Sequence, residues 1–371
     1  MKTKLIQSIK NDTILFTSGT LAALSCFIIT PDKNYLGYIN FRVLAILFSL
    51  MLVVSAFIRI GTFDYMTSKL LGKIHSERKV SLLLVILAFF MSMFLTNDVT
   101  LVTLVPFAIS VLTKYKDKRR TMYTLILMTV SANLGSMLTP IGNPQNLYLY
   151  SFYHMKLEYF IRQMLPYSAL SLLLLVIGVI IINITDKTHD TATPEDIKSP
   201  EIVPFFIYFS LFIVCVLAVS DIIPAHFMLA IVSLVILICD RKAFKNVDYN
   251  LLLTFVFFFI LIGNLGRISF IYSYLSVIVE KNTVLASILS SQIISNVPAA
   301  MLLSTFTKNG KALVIGANLG GLGTIIASMA SLITYKFYNT IKSEGEHYLL
   351  SFTVINIIFL LILLLFMMII W

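Results

Sequence analysis

The sequence predicts an all-α integral membrane protein built from two inverted repeats, each with a re-entrant helical hairpin and a discontinuous transmembrane helix. The first observation is composition, since 58% of the 371 residues are hydrophobic and only 12% are charged, whereas a soluble domain is about a quarter charged. The second is a series of apolar runs that approach or exceed the ~20 residues a spanning helix needs. The third is that polar, glycine and proline interruptions fall at matching positions in the two halves of the chain.

The charge pattern indicates a lipid bilayer, and not a nucleic acid, as the partner of the chain. The net charge is +10, but lysine and arginine concentrate in short loops between apolar runs, as membrane orientation requires. We therefore expect a multi-pass protein of the cell (inner or plasma) membrane with a cytoplasmic N-terminus. The three cysteines lie singly in apolar segments and the five histidines in loops or at helix ends, so we expect no transition metal and no cofactor.

The first half predicts two spans, at about 13–30 and 41–60, followed by an interfacial stretch at 61–80. The next apolar block, 81–113, is interrupted at its centre by Thr96-Asn97-Asp98 and flanked on both sides by basic clusters. It is too long for one span and too short for two spans and a turn. If basic loops stay in the cytoplasm, the block enters and leaves on the same side, which predicts a re-entrant hairpin.

The segment 121–150 predicts a helix that is broken inside the membrane. Between Ser131 and Asn146 it holds two glycines, two prolines and three asparagines. Proline removes a backbone donor and clashes with the preceding turn. Such a break is tolerated at membrane depth only where protein or a cavity satisfies the freed backbone groups, so we expect this segment to line a site.

The second half repeats the pattern after a span at 165–184. The predicted order is an acidic linker at 185–200, spans at 203–220, 222–239 and 249–266, a hairpin at 283–304, a broken helix at 311–336, and a last span at 348–371. The second hairpin is interrupted by Ser295-Asn296-Val-Pro298, and the second broken helix is rich in glycine. This organisation gives an N-terminal repeat at 1–184, a linker with a connecting helix at 185–220, and a C-terminal repeat at 221–371.

The internal repeat rests on three matching positions. Asn40 and Asp248 each open a span, the tip Thr96-Asn97 matches Ser295-Asn296, and Ala132-Asn-Leu-Gly135 matches Ala317-Asn-Leu-Gly320. Loop charges place the first hairpin entrance in the cytoplasm and the second outside, so the repeats are predicted to be inverted, with about nine full spans plus two hairpins. Interrupted segments at matching positions of inverted halves point to the central site of a transporter.

Such a site could bind an anion and a cation side by side. Helix N-termini exposed at the breaks favour anions, and freed carbonyls coordinate a small hard cation such as sodium. The predicted substrate-binding residues are Asn97, Asn133, Thr139, Asn143, Asn146, Ser295, Asn296, Asn318 and Thr324. The predicted cation-binding residues, with sodium possible at the hairpin tips, are Thr96, Asn97, Asp98, Ser131, Asn133, Gly135, Ser295, Asn296, Asn318 and Gly320.

Asp98 is the carboxylate predicted to lie deep in the membrane. An ionisable group there is costly and is a functional candidate by default, so Asp98 could carry a coupling proton or ligate sodium. It could also cap the second arm of the hairpin, a role that aspartate favours and that is compatible with a functional one. Asn143 and Asn146 either contact a ligand or only shape the break.

The residues carry a resemblance to the ion transporter superfamily, which includes divalent anion:sodium symporters, citrate-transporter-like permeases and arsenite permeases. The matching strings are Thr96-Asn-Asp-Val-Thr-Leu-Val-Thr-Leu-Val-Pro106, Asn133 to Asn146, and Ser295-Asn-Val-Pro298. The resemblance implies a secondary active transporter of a small anion (carboxylate or oxyanion), coupled to sodium or protons by alternating access, and not an enzyme. It also implies a homodimer with an elevator-type motion.

The chain departs from the symporter pattern, because both tips lack the threonine of the family's Ser-Asn-Thr motif. Two alternatives therefore stay open. Asp98 favours a sodium/proton antiporter or an arsenite-type efflux permease, while paired half-membrane hairpins are also typical of passive channels.

Overall fold

A computed structural model of the chain describes residues 13–71, 74, 76–182, 199–341 and 347–370. Every regular element within these residues is a helix, and eight of the helices, or nine if one bent pair is counted as a span, are long and apolar enough to cross a membrane. The predicted class of all-α integral membrane protein is thereby confirmed. The predicted linker lies outside the described residues except for its last two positions.

The helices of the first half follow the predicted order, with a sharp break between the two arms of the first hairpin. That break is at Thr96, whose φ of 71° is left-handed. The helices are α1 (Thr13–Ile28), α2 (Tyr35–Tyr38), α3 (Phe41–Arg59), α4 (Thr62–Leu71), α5 (Glu77–Leu95), α6 (Asn97–Leu112), α7 (Lys118–Gly135), α8 (Pro144–Phe152) and α9 (Leu157–Ile182).

The second half has an equivalent break at Ser295, whose φ is also 71°. The helices are α10 (Ile202–Val219), α11 (Ala225–Cys239), α12 (Tyr249–Arg267), α13 (Ser269–Lys281), α14 (Thr283–Ile294), α15 (Asn296–Ser304), α16 (Gly310–Leu319), α17 (Met329–Tyr338) and α18 (Tyr348–Ile370). Sequence analysis did not predict α13, which meets α14 at a bend of 110°.

The helices from α3 to α9 and from α12 to α18 run in the same order, and their first residues are capped alike. Asn40 Oδ1 accepts a hydrogen bond from the backbone N–H of Val43 at 3.1 Å, and Asp248 Oδ1 accepts one from Leu251 at 2.9 Å. Both are side-chain caps of the first helical turn. The inverted relation of the two halves stays a prediction.

The first hairpin is longer than predicted. Its arms extend over Glu77–Leu95 and Asn97–Tyr115, 19 residues each, or about 28 Å of helix at ~1.5 Å per residue. Each arm could therefore span a bilayer by length, so the argument that this block is too short for two spans was wrong. The reason is that the charged flanks are helical, because Ser76 accepts a capping hydrogen bond from Lys79 and Glu77 forms an ion pair with Arg120.

The second hairpin differs from the first in length. Its arms, α14 and α15, have only 12 and 9 residues, which is about 18 Å and 14 Å of helix. Neither arm alone covers a hydrocarbon core of about 30 Å. Re-entry into the membrane stays a prediction for both hairpins.

The chain forms two compact units, and each combines segments from both halves. Of the residues that the structure describes, the first contains those within 1–56, 206–283 and 301–310, and the second contains those within 57–205, 284–300 and 311–371. The boundaries of the two compact units therefore differ from those of the predicted repeats. The assignment of residues 1–184 and 221–371 to two repeats stays a prediction.

Within the first unit, α1 packs along α12, where Gly19 lies against the ring of Phe257. Two ion pairs stabilise turns of this unit. Arg42 pairs with Asp221 at 2.7 Å, and the partly exposed Arg267 pairs with Asp32 at 2.9 Å.

Within the second unit, α7 is the central helix. Helices α5, α6, α9, α17 and α18 all pack against it, and nearly every residue from Thr121 to Gly135 is buried. A β-carbon on Gly135 would overlap the Phe89 carbonyl and the Ser92 hydroxyl. The glycine therefore permits the close approach of α5 and α7, and it brings the first hairpin to the helix break.

Candidate functional site

Both predicted helix breaks are present in the second unit. Helix α7 ends at Gly135 and α8 begins at Pro144, while α16 ends at Leu319 and α17 begins at Met329. Proline at the first helical position costs no hydrogen bond, and Asn143 Oδ1 caps α8 by accepting from the N–H of Asn146 at 2.9 Å. The sequence therefore both ends one helix and starts the next.

Each hairpin tip is hydrogen-bonded to the break of its own half. The backbone N–H of Asn97 donates to the Gly142 carbonyl at 3.2 Å, and the N–H of Asn296 donates to the Ala327 carbonyl at 3.0 Å. Asn97, Ser295 and Asn296 are buried. The structure therefore brings together the tips and breaks that the sequence predicted to converge.

The two breaks also contact each other through a buried polar cluster. Asn143 Nδ2 donates to Asn318 Oδ1 at 3.2 Å, and Asn318 Nδ2 donates to Asn146 Oδ1 at 2.7 Å. A further bond links the start of the helix after the second break to the helix before the first, because Ser328 Oγ donates to Asn133 Oδ1 at 3.0 Å. We call this set of residues, with Asn97 and Asn296, the asparagine cluster.

The side chains of Asn143, Asn146 and Asn318 are fully engaged within the protein. Asn146 Nδ2 donates to the carbonyls of Ser136, Met137 and Thr139 at 3.3–3.4 Å. Because their amide groups already hold the loop of the first break, these asparagines shape the site. Whether they also contact a ligand stays a prediction.

The second break is held by Gln292, which sequence analysis missed. Its Nε2 donates to the carbonyls of Gly320 at 3.1 Å and Leu322 at 2.9 Å, and its Oε1 accepts from the N–H of Thr324 at 2.9 Å. The sequence did contain a signal for Gln292, because it is a polar residue in an apolar helix, one turn before the hairpin tip. Ser328 was also missed, although it directly precedes the apolar run of α17.

The amide groups of Asn97 and Asn133 have a fixed orientation. The N–H of Asp98 donates to Asn97 Oδ1 at 3.0 Å, so Asn97 Nδ2 is the group that donates to Asn133 Oδ1 at 2.9 Å. Asn133 Oδ1 thus accepts from both Asn97 and Ser328. Its two lone pairs are occupied, so in this arrangement the side chain presents its amide N–H hydrogens, while cation binding by Asn133 stays a prediction.

The side chain of Asn296 differs from the others, because it forms no hydrogen bond with any residue that the structure describes. It lies beside Gly321, with Nδ2 2.9 Å from the position that a β-carbon would occupy. Gly321 therefore leaves room for this amide.

The remaining predicted residues fall into three groups. Thr139 and Ser131 donate their hydroxyls to the carbonyls of Met93 at 2.5 Å and Val85 at 2.6 Å, so they fasten the first hairpin to α7. Gly135 and Gly320 are close-packing positions against serine hydroxyls. The half-buried residues of this set are Thr96, Asp98 and Thr324.

A buried carboxylate that the sequence did not predict lies at the start of α5. Glu77 is 1% exposed and pairs with Arg120 at 2.9 Å, and Arg120 also contacts Asp117 at 3.2 Å. Glu77 lies in the stretch 61–80, which sequence analysis assigned to the membrane interface. This pair joins the first turns of α5 and α7 and does not belong to the asparagine cluster.

Long apolar helices around two helix breaks joined by buried amide groups are typical of membrane transport proteins. A family model described as "Citrate transporter" matches residues 6–309, so the chain belongs to the citrate transporter family. The resemblance to the ion transporter superfamily is thereby confirmed.

Similar proteins include an uncharacterized transporter of Methanocaldococcus jannaschii, which is 34% identical over 96% of this chain and 97% of its own length. Inner membrane protein YbiR of Escherichia coli is 30% identical over 85% of each chain. The human P protein is 28% identical over 40% of this chain and 18% of its own length.

Proposed function

We propose that the protein is a secondary active transporter of a small anion, a carboxylate or an oxyanion, which it moves by alternating access. The coupling ion is sodium or a proton, and the protein is a homodimer in the cell membrane with a cytoplasmic N-terminus. The observation that carries the proposal is the convergence of four helix N-termini on the asparagine cluster. These are the starts of α6, α8, α15 and α17, whose first or capping residues are Asn97, Asn143, Asn296 and Ser328.

Helix N-termini attract anions because each carries about half a positive charge. A favourable, partly buried terminus contributes up to ~2 kcal/mol to anion binding, and burial reduces screening by water. Within the described residues, no lysine or arginine donates a hydrogen bond to the cluster. The proposed site therefore binds the anion through backbone dipoles and amide donors, with Asn296 as a direct ligand.

Sodium coupling is supported by the oxygen atoms at the two tips. Hard cations prefer hydroxyl, carboxylate and carbonyl oxygens, and Thr96, Asp98 and Ser295 supply such groups beside the same helix starts. A cation bound there would offset the charge of the anion, so each ligand would raise the affinity of the other.

The test is ligand binding and transport by the purified protein. Thermal stabilisation across a panel of carboxylates and oxyanions, with and without sodium, identifies the ligand because stability rises with the logarithm of its concentration. Uptake into liposomes then follows under a sodium or a proton gradient. We expect Asn296→Ala to lose anion binding, and Asn356→Ala, a buried asparagine of α18, to retain it. Absence of anion binding and uptake under every gradient would refute the proposal.

A second candidate, a sodium/proton antiporter or an efflux permease of the arsenite type, is favoured by Asp98. This carboxylate is half-buried in the first turn of α6, beside Asn97. The antiporter predicts sodium-dependent proton movement in liposomes without any anion. That movement should disappear in Asp98→Asn and persist in Asp221→Asn, which changes an exposed carboxylate paired with Arg42. Equal movement in both variants would exclude Asp98 as the proton carrier.

A further inference from the structure

Three buried polar atoms at one helix junction have no hydrogen-bond partner among the residues that the structure describes. They are Thr100 Oγ1, Asn133 Nδ2 and Ser331 Oγ. Thr100 and Ser331 have no exposed surface, and Asn133 is 5% exposed. Buried polar groups are almost always paired, so three unpaired atoms at one place call for an explanation.

We place the three residues together because their helices pack pairwise. Helix α6 packs on α7 and α17, and α17 packs on α7. Asn133 of α7 is hydrogen-bonded to Asn97 and Ser328. Thr100 and Ser331 each follow one of these two residues by three positions, and residues with that spacing are neighbours on a helix surface.

The helix breaks explain why the two hydroxyls are unpaired. Serine and threonine in a helix commonly donate to the carbonyl four residues earlier, as Thr103 and Thr129 do here at 2.9 Å. For Ser331 that carbonyl belongs to Ala327, which already accepts from Asn296 and Ser295. For Thr100 it belongs to Thr96, a break residue with left-handed φ, which is not part of the helix itself.

The chemistry of the junction selects an acceptor. Asn133 presents only N–H hydrogens, because Asn97 and Ser328 occupy its oxygen, and an amide N–H₂ does not ligate a cation. The hydroxyls of Thr100 and Ser331 can donate as well. Together they offer up to three hydrogen bonds to one oxygen atom, one from each group, a pattern that suits a negatively charged oxygen better than a metal ion.

We propose that Thr100, Asn133 and Ser331 form a subsite that binds one oxygen atom of the transported anion. This inference rests on the proposed function and deepens it, because it adds two hydroxyl residues, outside the tips and loops, to the substrate site. It also assigns Asn133 to the anion and not to the cation.

The decisive variants are Thr100→Val and Ser331→Ala, which remove a hydroxyl with little change of shape. Each should weaken anion binding about tenfold or more, as expected for a hydrogen bond to a charged group. Without the anion, each should leave the melting temperature unchanged or raise it, because a buried unpaired hydroxyl is removed. Asn133→Asp, which replaces the donor by an acceptor, should abolish anion binding.

Thr103→Val is the matched control, since it removes a hydroxyl of the same helix that is already bonded to the Val99 carbonyl; anion affinity should not change. Binding is measured as anion-dependent thermal stabilisation of the full chain.

If the wild-type protein binds an anion and Thr100→Val and Ser331→Ala bind it equally well, this inference fails while the proposed function stands. If no anion binds the wild-type protein, the proposed function fails first. A lower melting temperature of Thr100→Val without the anion would assign the hydroxyl to a resident water of the fold and would overturn the subsite.

Discussion

Asn318→Ala should destabilise the second compact unit strongly, because this side chain joins the two helix breaks. The substitution removes the hydrogen bond from Asn318 Nδ2 to Asn146 Oδ1 and the one that Asn318 Oδ1 accepts from Asn143. Two such bonds contribute about 2 kcal/mol together, at ~1 kcal/mol each. Asn146 is fully buried, so its unpaired Oδ1 costs about 1–3 kcal/mol more. We expect the free energy of unfolding to fall by about 3–5 kcal/mol.

The assay is equilibrium unfolding of the purified protein in mixed micelles, followed by circular dichroism. Asn356→Ala is the matched control, because Asn356 is equally buried and donates only to the Phe352 carbonyl of its own helix. It leaves a cavity of the same size without breaking a bond between segments. Each variant also loses one bond to a carbonyl of its own helix, so the expected difference between them is about 3–5 kcal/mol, from the lost inter-segment bonds and the unpaired oxygen.

A double-mutant cycle separates this pair from general destabilisation. If Asn146 and Asn318 interact directly, Asn146→Ala should cost much less when Asn318 is already alanine, with a coupling of about 0.5–3 kcal/mol. Equal losses for Asn318→Ala and Asn356→Ala, together with additive effects in the cycle, would refute a structural link between the breaks.

Two further predictions concern packing and charge. Gly135→Ala should lower the free energy of unfolding by at least about 1–3 kcal/mol, because its β-carbon meets backbone atoms in a filled core. The control is Gly37→Ala, which should be neutral because nothing lies within 4 Å of its β-carbon. Equal effects of the two substitutions would contradict the packing argument. Arg120→Met should cost about 3–5 kcal/mol, because it removes the ion pair between Arg120 and the buried carboxylate of Glu77. Arg267→Met breaks a pair with exposures of 40% and 36% and should cost at most ~1 kcal/mol; unfolding in micelles compares the two.

The helix breaks could be predicted from the sequence because they depend on local chemistry. Pro140 and Pro144 cannot continue a helix without losing hydrogen bonds, and the tip residues interrupt otherwise apolar blocks. The order of helices follows from the same local signals. The amphipathic helix α13 was missed because its mixture of polar and apolar residues, unlike a span, produces no long apolar run.

The roles of individual asparagines could not be predicted, because they depend on partners far away in the chain. Asn146 and Asn318 are 172 positions apart, yet each completes the other's hydrogen bonding. An asparagine whose amide is saturated and one whose amide is free look the same in a sequence. The free donor of Asn133 follows only from the joint orientation of Asn97, Asp98 and Ser328.

The contacts between the two helix breaks are reciprocal, although different residue types form them in the two halves. In each half, the capping residue of the helix after the break bonds to an asparagine in the helix before the break of the other half. Asn143 bonds to Asn318, and Ser328 bonds to Asn133. The residues differ because Asn143 also caps its own helix, whereas Ser328 makes no such cap and directs its hydroxyl across. That single hydroxyl occupies the second lone pair of Asn133 and leaves its amide hydrogens for an acceptor. The asymmetry between two related breaks therefore fixes Asn133 more firmly than Asn318 by contacts from the other half, and replacing Ser328 by alanine should leave Asn133 held by Asn97 alone and weaken anion binding.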